Sequence, residues 1–401
     1  MKKLLCFALL LGLLCSLSGC QEAAVDDRVT INVYNWGQYI SEGDDGCIDV
    51  IAEFEKAYPN IRVNYVTFDS IETMYTKMAG GGSTVDVIIP SDYMVGRLIS
   101  ENMLLPLDFA NIPNAANIDP NFQNPSYAPE GKYSVPYAWG TVGIIYNTKY
   151  VDPQDVENQG WKVLWDKKYA DKILMFDNSR DAFAIAQCIL GYDMNTTDKA
   201  QLQACAQLLE QQRPVVQQYI MDQVFDLMEN EEAWLAPYYA GDYLTMADEN
   251  ENLAFYLPQE QGFNLFTDAM CIPTCAEHKA EAETFINFLC NPEIAGGNMD
   301  WICYSTPLSE ESGVKEFMDP EMAYHPVSYP DDEVLAKGTG YLSLPRETTR
   351  YMDSLFMKVR NGISLEDSES SATTLWLIIA PAVILVSLAA WLLLKKKKRK
   401  K

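Results

Sequence analysis

The chain has 401 residues, a net charge of −26 and only two histidines. A chain of this length rarely builds a single compact core, so the sequence predicts two folded lobes. All 56 acidic residues but only 21 of the 30 basic ones lie between residues 20 and 374, which gives that region a net charge of −35. Such a surface repels phosphate backbones and excludes a nucleic-acid partner.

The first 19 residues have the pattern of a secretory signal peptide. Lys2 and Lys3 precede an apolar stretch at residues 4–14, which is too short to cross a bilayer as a helix. The signal ends in Leu17-Ser18-Gly19-Cys20, which resembles the bacterial lipoprotein box. This resemblance implies cleavage after residue 19 and a lipid on Cys20, whereas a plain secretory signal followed by a chance cysteine is the alternative.

The pattern after the signal predicts a strand, a helix and a second strand. Apolar residues alternate from residue 31 and the run breaks after Trp36, a helical pattern follows at residues 44–58, and residues 61–65 alternate again. Such a unit has parallel strands and a right-handed crossover. Trp36 and Tyr39 then follow the carboxyl end of the first strand, where open α/β sheets bind ligands.

A third strand, predicted at residues 85–89, leads into the same edge of the sheet. It is apolar except for Asp86, as buried parallel strands are. Ser91 and Tyr93 follow it directly. We therefore expect these two side chains beside the aromatic residues that follow the first strand.

The rest of the chain predicts a second lobe and a return to the first. A strand at residues 142–147 enters the second lobe, which includes a helix at residues 198–212 with Thr197 as its cap. A later helix, around residues 351–359, is expected to pack on or across the first lobe. The predicted divisions are 28–138 and 266–345 for lobe 1, 139–265 for lobe 2, 346–362 for a C-terminal helix, and 363–374 for a linker.

The C-terminal residues have the pattern of a membrane anchor. Residues 375–394 carry no charge and would span about 30 Å as a helix, which matches a bilayer core. Residues 395–401 are all basic, so the positive-inside rule places the C-terminus in the cytoplasm. The sequence thus predicts a protein on the extracytoplasmic face of the cell membrane, held by the lipid on Cys20, by this helix, or by both.

The cysteines predict neither a disulfide framework nor a metal site. Seven remain after Cys20, an odd number with irregular spacing. Cys271 and Cys275 have a loose metal-like spacing, but His278 is the only histidine near them and no second pair completes four ligands. We therefore expect buried free thiols and no metal or cofactor.

Four passages together resemble the polyamine-binding proteins that serve spermidine and putrescine ABC transporters. They are VYNWGQYI, FDSIETMYTKM, IIPSDYMV and YSVPYAWGTVGIIYN, and the resemblance extends from about residue 30 to residue 360. It implies an α/β, two-lobed type II periplasmic-binding-protein fold, whose lobes close on a ligand without catalysis. It also implies a partner, the membrane-embedded permease of an ABC importer.

The resemblance implies that aromatic rings lie along the polyamine and that carboxylates bind its ammonium ends. The chain has Tyr239 and Phe266 where tryptophan is common in the family, which leaves the length of the ligand open. The residues that the resemblance assigns to the ligand are Trp36, Tyr39, Ser91, Tyr93, Asp181, Tyr239, Asp242, Phe266, Asp268 and Tyr304.

Asp268 is the acid that differs most from an ordinary surface aspartate. It interrupts an apolar strand that contains Phe266, Met270 and Ile272. A buried carboxylate is costly unless a cation or hydrogen-bond donors compensate it, so its position predicts a cationic partner. Aromatic faces attract the same cations and cover the methylene chain between them.

Other functions have less support in the sequence. No GxSxG, HExxH or phosphate-loop motif is present, so we expect no enzymatic activity. The open alternative is a binding protein of the same fold for a sugar, a metal ion or an anion. An anion would need basic groups in the cleft, and Arg180 is the only basic residue near the predicted wall.

Overall fold

The computed structural model describes residues 27–68, 70–81 and 84–365. Its strands are β1 (Val29–Trp36), β2 (Ile61–Phe68), β3 (Val87–Ile88), β4 (Ser134–Asn147), β5 (Ile173–Phe176), β6 (Val216–Ile220), β7 (Leu235–Tyr239), β8 (Leu253–Tyr256), β9 (Phe263–Cys271) and β10 (Gly338–Thr339). They form a mixed sheet in the order β2-β1-β3-β9-β4-β7-β5-β6, with β10 beside β9 and β8 beside β4.

Helices surround this sheet, so the fold is α/β as the sequence predicts. They are α1 (Val50–Ala57), α2 (Ile71–Ala79), α3 (Asp92–Ser100), α4 (Pro153–Gln159), α5 (Ser179–Leu190), α6 (Lys199–Gln212), α7 (Val224–Glu229), α8 (Ala240–Glu249), α9 (Lys279–Leu289), α10 (Pro292–Ile302), α11 (Pro320–Ala323), α12 (Asp332–Leu335) and α13 (Arg346–Arg360).

The first strands form the expected parallel unit. β1 pairs in parallel with both β2 and β3. The helix predicted at residues 44–58 begins only at Val50, where the Asp49 side chain accepts a hydrogen bond from the backbone N–H of Ala52. The preceding residues cannot continue it because Gly43 and Gly46 have left-handed φ angles of 87° and 84°.

Strand β4 connects the two parts of the sheet and is buried along its whole length. Its first part, from Ser134 to Thr141, pairs antiparallel with β9. From Val142 it pairs instead with β7, and its last residues also pair with β8. One continuous strand therefore belongs to both parts.

The second part of the sheet places β5 in parallel between β6 and β7. Helix α6 is the helix predicted at residues 198–212. Its predicted N-cap, Thr197, is wrong by one residue. Asp198 is the N-cap, and its carboxylate accepts hydrogen bonds from the backbone N–H groups of Ala200 and Gln201. Its carboxylate therefore satisfies two of the free N–H groups of the first turn.

The C-terminal helix α13 packs mainly on α5 and α6, in the second part of the fold. The sequence predicted packing on or across the first lobe, whose helices α2 and α3 only face α13 across a groove. Met352, Leu355 and Phe356 form its buried face. At its end, the Arg360 guanidinium pairs with Asp177 at 2.8 Å, just before α5. The apolar face of α13 therefore completes the core beneath the second part of the sheet.

The prediction that the thiols are buried is wrong for Cys47, which is exposed, and incomplete for Cys275, which is half-buried. The other five cysteines after Cys20 are buried free thiols. Among the residues that the structure describes, no helix is long and apolar enough to cross a membrane. The predicted signal peptide, Cys20, the linker from residue 366, and the anchor and tail at 375–401 lie outside the described residues.

Candidate ligand-binding site

A cavity of about 90 Å³ lies at the carboxyl ends of strands from both parts of the sheet. It has room for roughly six to nine water molecules or a slender chain. All ten residues that the sequence assigned to a ligand line this cavity, and their contact with a ligand stays a prediction. They are Trp36, Tyr39, Ser91, Tyr93, Asp181, Tyr239, Asp242, Phe266, Asp268 and Tyr304.

Three of the polar side chains that line the cavity lie at the beginnings of helices. Asp181 lies in the first turn of α5, directly after β5, and Asp242 lies in the first turn of α8, directly after β7. Ser91 is the N-cap residue of α3 after β3. The first turn of a helix exposes backbone N–H groups with partial positive charge, which favours ionised carboxylates there.

Asp268 lies in the middle of β9 and is only 5% exposed. Its Oδ2 accepts a 2.7 Å hydrogen bond from the Tyr39 hydroxyl. Its Oδ1 is buried and accepts no hydrogen bond from the part of the chain that the structure describes. Burial raises the pKa of Asp268 to about 6, while the side chains of Tyr39 and Ser91 oppose that rise. Oδ1 of Asp268 can therefore accept a hydrogen bond from an N–H group of a ligand.

Asp181 is also 5% exposed, but both of its oxygens have partners. The Tyr239 hydroxyl donates to Oδ2 at 2.9 Å, and the Tyr341 hydroxyl donates to Oδ1 at 3.0 Å. Burial raises the pKa of Asp181 to about 6, and the two tyrosine hydroxyls and Arg180 oppose that rise. Asp181 is therefore held in a fixed orientation.

Asp242 has the largest shift of the predicted acids. Burial raises its pKa to about 7, the hydrogen bond from Tyr304 opposes the rise, and the negative charges of Asp222 and Asp268 add to it. Counting Asp92, five aspartates and no lysine, arginine or histidine line the described cavity wall. A cation entering this cavity would relieve the repulsion between its acids.

Aromatic rings form a continuous row along the cavity. The ring centroids of Tyr39 and Tyr304 are 4.9 Å apart, those of Tyr304 and Phe266 are 6.0 Å apart, and those of Phe266 and Tyr239 are 5.4 Å apart. The planes meet at angles between 65° and 88°, so ring edges and faces alternate. Such a row offers apolar faces between the acids.

Two glycines provide the space that these rings occupy. A Cβ atom added to Gly140 would lie 2.8 Å from Cζ of Phe266, and one added to Gly241 would overlap the ring of Tyr304. The rings therefore lie directly against backbone. Any larger residue at either glycine would push a ring toward the cavity.

Trp36 and Tyr93 complete the wall on the side of the first strands. The Trp36 ring packs against Phe68 with centroids 4.7 Å apart. The Tyr93 hydroxyl donates to Glu72 at 3.1 Å, and its ring lies 6.1 Å from that of Tyr341. Both predicted residues thus lie at the cavity with defined neighbours.

Several lining residues escaped the sequence analysis. They include Asn178, Asp222, Tyr238 and Tyr341. Asp222 could have been found from the sequence, because it follows the carboxyl end of β6. Ser91 was predicted for the same reason, since it follows the carboxyl end of β3. Tyr341 could not, because it lies in an irregular passage after β10 with no periodic pattern around it.

Arg180 does not line the cavity, although it was the only basic candidate near the wall. Its guanidinium donates to the backbone oxygen of Met194 at 2.9 Å and to Asn195 Oδ1 at 2.7 Å. Within the described ranges, no three Asp, Glu, His or Cys side chains are close enough together to hold a metal ion. The described cavity wall therefore has no basic side chain that would bind an anion and no cluster of three ligands that would hold a metal ion.

The sequence matches the family model of the bacterial extracellular solute-binding proteins over residues 49–323. A spermidine/putrescine-binding periplasmic protein of Escherichia coli is 31% identical over 321 residues, which covers 80% of this chain and 88% of that protein. A putrescine-binding periplasmic protein of the same organism is 28% identical over 328 residues, covering 78% of this chain and 86% of that protein.

Solved structures of similar proteins give the same kind of relative as the sequence comparison. A putative spermidine/putrescine ABC transporter protein from Listeria monocytogenes aligns with a TM-score of 0.75 and 36% identity, covering 82% of this chain and 98% of that one. The substrate-binding protein of a spermidine/putrescine ABC transporter from Streptococcus pneumoniae aligns with a TM-score of 0.69 and 33% identity, covering 84% of this chain and all of that one. The chain has the periplasmic-binding-protein fold and belongs to the bacterial extracellular solute-binding protein family, whose members bind solutes and are not enzymes.

Proposed function

We propose that this protein is the extracytoplasmic substrate-binding component of an ABC importer, and that it captures a polyamine, spermidine or putrescine, for delivery to a permease. The observation that carries this proposal is the cavity wall, whose described residues include five aspartates and a row of aromatic rings but no basic residue. The two Escherichia coli relatives above are a spermidine/putrescine-binding and a putrescine-binding protein. The ten predicted residues are the proposed ligand contacts.

The ammonium groups and the methylene chain of a polyamine each match a different part of this wall. An ammonium group can donate to Asp268 Oδ1, which lacks a donor among the described residues. Such charge-assisted hydrogen bonds contribute on the order of 1.5–3 kcal/mol each. The methylene chain can lie on the rings of Tyr304 and Phe266, each of which adds about 0.5–2 kcal/mol when a cation is near its face.

Two lobes would close over the ligand. We assign residues 28–138 and 266–345 to one lobe and 139–265 to the other, with α13 as the C-terminal helix within 346–362. The exchange of partners along β4 after Thr141 supports a division near this point. Closure would exclude water and strengthen each charged contact.

The alternative ligands have less support than a polyamine. An anion would face five aspartates, and Arg180 already donates to neutral oxygens outside the cavity. A metal ion would need at least three clustered ligands, and the described residues hold no such group. A sugar could stack on the rings, but it would leave several buried carboxylates without a counter-charge.

The test is a ligand panel with the secreted domain, residues 21–365. We expect putrescine or spermidine to bind with micromolar affinity or tighter by calorimetry and to raise the melting temperature by mass action. Sugars, phosphate and divalent cations serve as the comparison ligands. No heat and no thermal shift with any polyamine, but a response to one of the others, would reject the proposal.

The same proposal includes the location of the protein. We infer that residues 1–19 are a lipoprotein signal, that Cys20 carries lipid, and that residues 375–394 span the membrane with residues 395–401 in the cytoplasm. Support comes from the sequence pattern of these segments. Both ends of the binding domain would then lie at one membrane surface, close to the permease.

A further inference from the structure

Tyr341 is 4% exposed and lines the cavity from the passage between β10 and α13. Its hydroxyl donates to Asp181 Oδ1 at 3.0 Å, opposite the bond that Tyr239 donates to Oδ2. The carboxylate of Asp181 thus has one phenol on each oxygen. Removing either phenol would free the carboxylate to rotate and would remove one donor to its ionised form.

The backbone of Tyr341 reaches the other part of the fold. Its N–H donates to Asp92 Oδ2 at 3.2 Å, and Asp92 is the first residue of α3 and 2% exposed. The side chain of Tyr341 therefore contacts α5, which follows β5, while its backbone contacts α3, which follows β3. One residue connects elements at the edges of both parts of the sheet.

Arg180 lies against the face of the Tyr341 ring. The guanidinium carbon is 4.4 Å from the ring centroid, and Arg180 is 4% exposed. Its N–H groups donate to neutral oxygens, including the carbonyl of Leu342 at 3.3 Å. A cation on the ring face polarises the phenol and makes its hydroxyl a better donor to Asp181.

We propose that Tyr341 is a positioning residue: supported by Arg180, its hydroxyl orients Asp181 for the ligand's ammonium group, and its backbone bond to Asp92 keeps the two sides of the cavity together. This inference rests on the proposed function. It differs from a direct ligand contact because Tyr341 acts through Asp181.

The first variant is Tyr341→Phe, which keeps the ring on Arg180 and the backbone bond to Asp92. We expect polyamine affinity at pH 8 to fall about three- to tenfold, within the range for the net contribution of one ordinary hydrogen bond, because the lost bond acts on the ligand only through Asp181. The matched control is Tyr150→Phe, which removes a 2.6 Å hydroxyl–carboxylate bond to Glu231 outside the cavity. The control should leave affinity unchanged.

The pH profile separates positioning from direct contact. Without the Tyr341 hydroxyl, the pKa of Asp181 should rise further, so the loss of affinity should be larger at pH 6 than at pH 8. A neutral hydroxyl that merely touched the ligand would give the same loss at both values, and that result would overturn the proposal. The titratable or charged groups that face Asp181 are Glu72, Tyr93, Arg180, Tyr238, Tyr239, Asp268 and Tyr341.

A double-variant comparison and a ligand-free measurement complete the test. In the Asp181→Asn background, adding Tyr341→Phe should change affinity less than twofold, whereas additive losses would contradict action through Asp181. Carboxyl carbon NMR of the ligand-free protein should show a higher pKa for Asp181 in Tyr341→Phe than in wild type. An unchanged pKa rejects the positioning role, even if wild type binds no polyamine and the proposed function itself fails.

Discussion

The hydroxyl of Tyr39 donates to Oδ2 of Asp268 at 2.7 Å, and Oδ1 of the same carboxylate receives no donor from the described residues. Tyr39 follows β1 and Asp268 lies on β9, so the bond joins positions 229 residues apart in the chain. The half-satisfied carboxylate is the best single candidate for a bond to a ligand cation. It also gives a sharp prediction.

Asp268→Asn should be the most damaging single change at the cavity. It removes the counter-charge of a desolvated ammonium group, and the expected loss of polyamine binding is about 2–5 kcal/mol. At pH 7 the free energy of unfolding without ligand should change by less than about 1 kcal/mol, since losing a buried charge offsets burying an amide. Calorimetry and urea denaturation measure the two quantities.

Asp248→Asn is the matched control, because Asp248 is exposed on α8 and the change in charge is the same. This variant should bind as wild type does. Normal binding by Asp268→Asn, or an equal loss in both variants, would show that Asp268 is not the anchor of the ligand.

Polyamine affinity should weaken by roughly tenfold or more between pH 7.5 and pH 5.5. Burial raises the pKa of Asp181 and of Asp268 to about 6 and that of Asp242 to about 7, so the empty cavity holds protons that a cation must displace. Calorimetry at pH 6.5 in two buffers with different ionisation enthalpies should detect protons released on binding. Equal affinity at both pH values without proton release would exclude these acids as the ligand's partners.

Without ligand, the same acids should affect stability in the opposite direction. Their pKa values are raised in the folded protein, so the stability they contribute is fully present below about pH 4 and is lost as pH rises through 6 to 7. Relative to Asp268→Asn, the wild type should therefore become less stable as pH rises from 4 to 7. Urea midpoints of both proteins across this range measure the difference, and a constant difference would refute the raised pKa of Asp268.

Gly241→Ala should impair binding without touching any acid. The added Cβ would overlap the ring of Tyr304, which must then move toward Tyr39 or into the cavity. We expect binding to weaken at least tenfold and the protein to lose about 1–3 kcal/mol of stability, as overpacking typically costs. The control is Ala247→Gly, which lies on the same helix as Gly241 and tests general effects of a substitution in α8. Gly191→Ala would not serve as a control, because Gly191 has a left-handed φ of 70°.

The two proposed anchors can be separated by fractionation. We expect Cys20→Ala alone and a chain stopped after Ser370 alone to remain membrane-bound, and only the combination to be released. If residues 375–394 anchor the protein, the linker from residue 366 to 374 would reach about 30 Å when fully extended and would keep the binding domain near the membrane. Release by Cys20→Ala alone would mean that residues 375–394 do not anchor the protein.

The sequence predicted the first strands and the cavity well because both depend on local patterns. Alternating apolar residues end at Trp36, and a buried run ends before Ser91, so their shared edge followed from parallel pairing. The resemblance added residues from the second part of the sheet. It did so through short motifs, and all of the residues that it assigned to the ligand line one cavity.

What the sequence missed depends on tertiary contacts without a local pattern. The position of α13 follows from its fit against α5 and α6, and its amphipathic face alone does not name a partner. Tyr341 lies in a passage without regular structure, where neither periodicity nor capping indicates a role. Aromatic residues supported by Gly241 were predicted, but the need for glycine there appears only when Tyr304 is placed beside it.

The continuity of β4 has a mechanical consequence. Since the same strand pairs with β9 before residue 142 and with β7 after it, any motion that widens the cavity must bend a strand that is buried and paired on both sides of the bend. A bend in a buried, paired strand strains the hydrogen bonds on both sides of it, so opening of the cavity should cost more than it would across a single unpaired connection.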